Sequence, residues 1–130
     1  MSSRKRTHTV AENDRIVKTL DGATSRAAAL EGVAVGVAER PVLKRLYAEA
    51  ETSVFLLKLA AGEDDALPYD LSLEKLERSE LVSKMVENLE AARGLASEDL
   101  SAALGRARVA RDCAATLLHF VNLESRRAKG

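Results

Sequence analysis

The sequence predicts an all-α protein, a single-domain four-helix bundle with up-down-up-down connections. Three observations carry this. Apolar residues recur at alternating spacings of three and four in most of the chain, the signature of helix faces rather than strands. The 130 residues include only two Phe, two Tyr and no Trp, whereas sheet proteins lean on aromatic and β-branched side chains. Glycine and proline fall at few places, and those places divide the chain into four stretches of helix length.

Each element follows in turn. Residues 1–8 are polar and basic and read as a mobile tail ahead of a bundle spanning 9–127. The first helix is expected over about 10–38, with Ile16, Leu20, Ala23, Ala27, Leu30, Ala34 and Val37 as its core seam. Asp21-Gly22 is the point at which it could bend or break, since Gly costs ~1 kcal/mol against Ala inside a helix. Pro41 suits the first turn of a second helix, over about 42–61, which Gly62 ends. Gly62, the acids Glu63, Asp64 and Asp65, and Pro68 make residues 62–70 a loop. A third helix is expected over about 72–93, although its apolar pattern is poor across Glu77 to Glu80. Ser97, followed by Glu98 and Asp99, is expected to cap a fourth helix over about 98–126, lined by Ala103, Ala107, Ala110, Ala114, Leu117 and Val121.

Two segments carry more apolar surface than a bundle seam needs. Between Arg26 and Arg40 almost every residue is small or apolar. As a helix, that stretch places Ala28, Gly32 and Gly36 in a small-residue stripe off the core, with Val35 beside it. On the second helix Phe55, Leu56 and Leu59 fall mostly off the core face. These seven residues are the candidate interface, and the expected partner is a second copy, a dimer before any higher oligomer, with another protein as the alternative. The plainer account is that the extra residues cover a wide core.

Composition limits the other classes. Hydrophobic residues at 46% and charged residues at 31% describe a globular chain rather than a disordered one. Lys plus Arg equals Asp plus Glu, at 20 each, so no overall field draws the protein to nucleic acid or anionic membrane. Cys113 is the one cysteine, which excludes an internal disulfide and fits a reducing compartment. With no apolar run of membrane-span length and no signal-like segment, a cytoplasmic protein is expected.

Catalytic patterns are absent. A di-iron bundle needs Glu-x-x-His pairs, and none occurs. Asn13-Asp14, Ile16, Asp21-Gly22 and Pro41 through Leu46 resemble the opening of some small ferritin-like bundle proteins over about a third of the chain. The iron ligands of that family are missing, so no residue role carries over. His119 falls at an outer helix position, and His8 with Glu12 share spacing but not a stable helix. Cys113 reads as a packing residue with no histidine to activate it. No catalytic residue, metal or cofactor is therefore assigned, and no enzyme is expected.

Nucleic-acid binding is the alternative function. An up-down-up-down bundle brings both chain ends together, which would cluster Arg4, Lys5 and Arg6 with Arg126, Arg127 and Lys129 as a polyanion contact. Glu63, Asp64 and Asp65 would lie at that same end and partly cancel the field, and no aromatic stacking platform accompanies the basic residues. The favoured expectation is a non-enzymatic bundle that self-associates and acts as an adaptor, scaffold or assembly subunit.

Overall fold

The computed structural model describes residues 10–63 and 67–129. Among them are four helices and no strand: α1 Val10–Ala28, α2 Arg40–Ala61, α3 Arg78–Leu95 and α4 Leu100–Lys129. The four-helix all-α fold is as the periodicity predicted. The core is one continuous cluster drawn from all four helices, and the alanine seam of α4 is fully buried, with Ala103, Ala107, Ala110 and Ala114 at its centre.

The order of the helices is not up-down-up-down. Helix α1 packs on α2 and α3, and α4 packs on the same two. Each of these contacts is antiparallel. Arg26 reaches Glu49 while Arg15 shares a cleft with Leu59. Arg93 near the end of α3 bonds Asp21, while Leu30 lies by Val82. Ser101 at the start of α4 donates to Glu63, and Glu124 near its end approaches Gly36. Arg106 bonds Asn88, and Arg78 bonds Glu124. Helices α2 and α3 therefore run in the same direction, giving up-down-down-up. The chain must return the length of the bundle between them, and among the described residues 67–77 lie along this return, held to α4 through Tyr69 and Asp70.

The crossing explains the shortened third helix. In place of a helix from residue 72, a 3-10 turn at Leu71–Lys75 is followed by extended backbone at Leu76 and Glu77. Asp70 caps the turn by accepting from the Ser72 N–H at 3.0 Å, which pulls its carboxyl below the usual range through the Ser72 hydroxyl first and the backbone N–H second. Leu73 is the buried anchor of the turn. Around it, the Asp70 N–H donates to Asp112 Oδ2 at 3.2 Å, the Arg111 guanidinium stacks 4.7 Å from the Tyr69 ring centre, and the Tyr47 and Tyr69 hydroxyls share a hydrogen bond. That bond and burial together raise the Tyr47 phenol, burial most. The Glu77 N–H then donates to the Glu80 carboxylate at 2.9 Å as α3 begins.

The first helix differs too. It passes through Gly22 unbroken and ends at Ala28, ten residues short of its expected length. Turns follow, with Gly32 at φ +80°, a conformation that side chains with a Cβ rarely hold. Gly36 is extended, and its N–H donates to Glu39 Oε1 at 2.7 Å to start a 3-10 turn, Val37–Glu39, that runs straight into α2. The valines Val33, Val35 and Val37 lower helix propensity between these glycines. Ending the helix lets the chain double back, so that Val35 enters the core at 6% exposure and its carbonyl accepts from Arg78 Nη1 at 2.7 Å.

The remaining boundaries moved less. Gly62 ends α2 at φ 70°, with its N–H and that of Glu63 closing on Leu59 and Lys58 carbonyls. Helix α3 runs past Gly94, and Asp99 rather than Ser97 caps α4, accepting from the Ala102 N–H at 3.1 Å.

Candidate functional site

Small residues bring α1 and α2 close together. Ala23, Ala27, Ala50 and Ser53 are buried between them and the core, and a Cβ on Gly22 would stand 3.4 Å from Glu49 Oε2. Arg26 grips the same Glu49 with two bonds, at 2.9 and 3.1 Å. The hydrogen bond with Glu49 is the main reason the guanidinium is held charged even more firmly than usual. This pair lies on an outer groove along α1 and α2.

An apolar cleft opens at each end of that groove. Where α1 ends and α2 begins, Ala29, Leu30, Val33 and Val42 line a cleft of about 610 Å³ together with Ser25, Glu39, Gly22 and Arg26 itself. Val33 is 40% exposed there. At the opposite end, Arg15 and Ile16 of α1 face Leu56, Leu59 and Ala60 of α2 across a crevice of about 60 Å³. Leu59 stands out from it at 64% exposure. The face therefore offers a hollow at one end and a projecting leucine at the other.

The seven candidate interface residues do not form one surface. Leu56 and Leu59 lie on this groove. Phe55 is 59% exposed but opens to the other side of α2, in a groove of about 410 Å³ shared with Glu51, Thr52, Lys58 and Arg111. Val35 is core. Ala28 and Gly32 are exposed at the turn after α1, and Gly36 is half-buried. The helical stripe expected of Ala28, Gly32 and Gly36 does not exist, because no helix runs through it. Leu30 is core at 5% exposure, as its seam position predicts, yet it lines the cleft with Val33 and Val42, and that cleft exists only because α1 ends at Ala28.

Of the six basic residues of the expected polyanion contact, the structure describes only those on α4. Helix α1 starts at the end where α2 finishes, whereas Arg126 and Arg127 are exposed at the opposite end, on the last turns of α4. Arg4, Lys5, Arg6 and His8 lie outside the described residues, as do Asp64 and Asp65 of the acidic loop. Lys129 closes α4. Glu63 accepts a hydrogen bond from Ser101.

The reactive side chains are placed structurally. Cys113 is fully buried, and burial pushes its thiol up to about 12, far from the thiolate that nucleophilic work requires. Asp112 is occupied by Arg111 at 2.9 Å and by the Asp70 N–H. His119 is exposed, 6.2 Å from the Phe120 ring centre. Among the described residues no three His, Cys, Asp or Glu side chains converge as metal ligands, and no helix is long and apolar enough to cross a membrane.

No family model, curated protein or solved structure matches the chain.

Proposed function

We propose that this protein is a non-enzymatic helical-bundle module that self-associates through the outer face of α1 and α2 and acts as an adaptor, scaffold or assembly subunit. The observation that carries the reading is the pairing of Leu59 and Val33 at opposite ends of one groove, each beside an apolar cleft. Scattered exposed leucines need no explanation, but two apolar clefts aligned on one face suit a protein partner. A second copy is the simplest such partner, because one surface then serves both sides.

The polyanion reading has less behind it. Its premise was one basic end, and the start of α1 and the end of α4 lie at opposite ends of the bundle.

The test is the solution mass by light scattering across a concentration series. An oligomer that Leu59→Glu dissociates, with helical content unchanged, supports the reading. A protein that is monomeric at every concentration removes it. Phe55→Glu serves as the counterpart on the other side of α2 and should leave the assembly intact. Gly32→Leu is not a useful probe of the surface, because the positive φ at Gly32 would be strained by any side chain.

A further inference from the structure

We infer that residues 67–76 form a strap that lifts from α4 as a unit while the four helices stay packed, so that the outward side of α4 around Asp112, Cys113 and Thr116 is covered in one state and open in another. Three features of the strap carry this.

First, it is thinly attached. Leu73 is its one buried residue, Leu76 is half-buried, and the rest are exposed, Leu67, Tyr69 and Leu71 among them. A segment with few buried contacts opens at a lower free energy than the core it lies on.

Second, it carries its own bonds. The Asp70 carboxylate accepts from the Ser72 N–H and hydroxyl, the Leu73 N–H donates to the Asp70 carbonyl, and the Leu76 N–H donates to the Leu73 carbonyl. All of these travel with the strap. Glu77 is the hinge. Its N–H donates to Glu80 and its carbonyl accepts from the Leu81 N–H, so it belongs to α3, and the extended backbone at Leu76 can turn without disturbing that helix.

Third, the bundle keeps its pairings without the strap. The clasp joins Tyr69 to Tyr47 and Arg111, and the Asp70 N–H to Asp112. When it parts, Arg111 still holds Asp112 at 2.9 Å, the Tyr47 hydroxyl still donates to Glu51 at 3.1 Å, and the Thr116 hydroxyl still donates to the Asp112 carbonyl at 2.8 Å. Opening therefore strands no charge or donor in the bundle, and it avoids the cost that would otherwise hold such a segment shut.

Cys113 lies beneath. Its thiol feels the charge of Asp70 from the strap and of Lys84 from α3, which places it where those two elements meet on α4. As the only thiol of the chain, it reports the open state.

The experiment labels the full chain with iodoacetamide at pH 8 across a urea series and follows the mass of the adduct. Cys113 should react far more slowly than in the unfolded chain. At low urea its rate should be almost independent of urea, because lifting the strap exposes little surface, and it should turn steep only near the unfolding midpoint. Leu73→Ala, which removes the anchor, should raise the low-urea rate at least about tenfold. Ile16→Val, in the core on α1, should lower the unfolding midpoint and leave the low-urea rate unchanged, since it weakens the closed and open states equally. Labelling that climbs with urea as steeply as global unfolding from the start, and that follows the lost stability in both variants, overturns the strap. A low-urea rate that Leu73→Ala leaves unchanged puts the opening elsewhere and overturns it too.

Discussion

Two alanine-rich regions of this chain met opposite fates. The segment from Leu100 to Val121 and the segment from Arg26 to Arg40 both repeat small and apolar residues at threes and fours. The first is the most enclosed helix of the molecule, buried by α2, α3 and the crossing segment. The second stays in α1 for only three residues, and Ala28, Ala29, Gly32, Val33, Ala34 and Val37 are all exposed. The difference lies in what interrupts the pattern. Residues 100–121 contain one glycine, Gly105, and few β-branched side chains, so the helix is locally favoured along its length. Residues 29–38 alternate valine with glycine and alanine, and each local choice weakens the helix that the heptad spacing suggests. A periodic seam identifies a core face only where the backbone between its members prefers to be helical.

The comparison can be broken most forcefully in the core. Leu117→Ala on α4 should cost ~2–5 kcal/mol in chemical denaturation, because the side chain is wholly buried. Val37→Ala, at a seam position of the other segment, should stay within ~0.5 kcal/mol. Equal costs at the two sites would mean that residues 29–38 pack as the heptad reading expected.

Alanines sharpen the contrast. Ala110→Leu should overpack the centre and cost ~1–3 kcal/mol, while Ala34→Leu, exposed on the turn, should alter stability by no more than ~0.5 kcal/mol. Thermal and denaturant midpoints would separate them.

The two glycines of the turn should differ between themselves. Gly32→Ala must force a Cβ into φ +80°, at a cost of ~1–2 kcal/mol. Gly36→Ala keeps an extended backbone and meets nothing closer than Glu124 Oε1 at 3.8 Å, so it should be neutral or stabilise by up to ~1 kcal/mol through the unfolded chain. Similar losses at both would place residues 32–36 in some other conformation.

The smallest effect concerns Cys113. Its folded thiol is raised to about 12 by burial, whereas an unfolded thiol ionises near 9. The unfolded state therefore releases a proton first, and stability falls as pH rises through that window. Below it both states are protonated and the residue is silent. Stability measured at pH 8 and pH 10 should drop less in Cys113→Ala than in the wild type, and the native thiol should resist alkylation at pH 8.

Much of the core was legible. Ile16, Leu20, Ala23 and Ala27 of α1, Leu43, Leu46, Val54 and Leu57 of α2, and the α4 seam are buried as their spacing predicted. The poor pattern across Glu77 to Glu80 did carry a signal, because that is where the chain leaves the crossing segment and caps α3. For the candidate site, the expectation that Leu56, Leu59 and Phe55 lie off the core face did not separate them, and the structure sets Leu56 and Leu59 beside α1 and Phe55 on the flank shared with Arg111. Helical phase alone fixes a residue's angle to the core but not which neighbour stands on either flank.

By itself, then, the sequence determined the class of fold, four helices, their inward faces and the glycine stop after α2, because these depend on local propensity and on periodicity within one segment. The tertiary structure alone decided that α2 and α3 run parallel, that Val35 turns inward and that α1 starts at the opposite end of the bundle from where α4 finishes. Those outcomes depend on contacts between residues far apart in the chain, such as Arg78 with the Val35 carbonyl and Asp70 with Asp112. A long connection can cross the bundle or stay at one end with the same composition. What selects between them is whether the crossing finds a seat, and Leu73, Tyr69 and the buried face of α4 provide one.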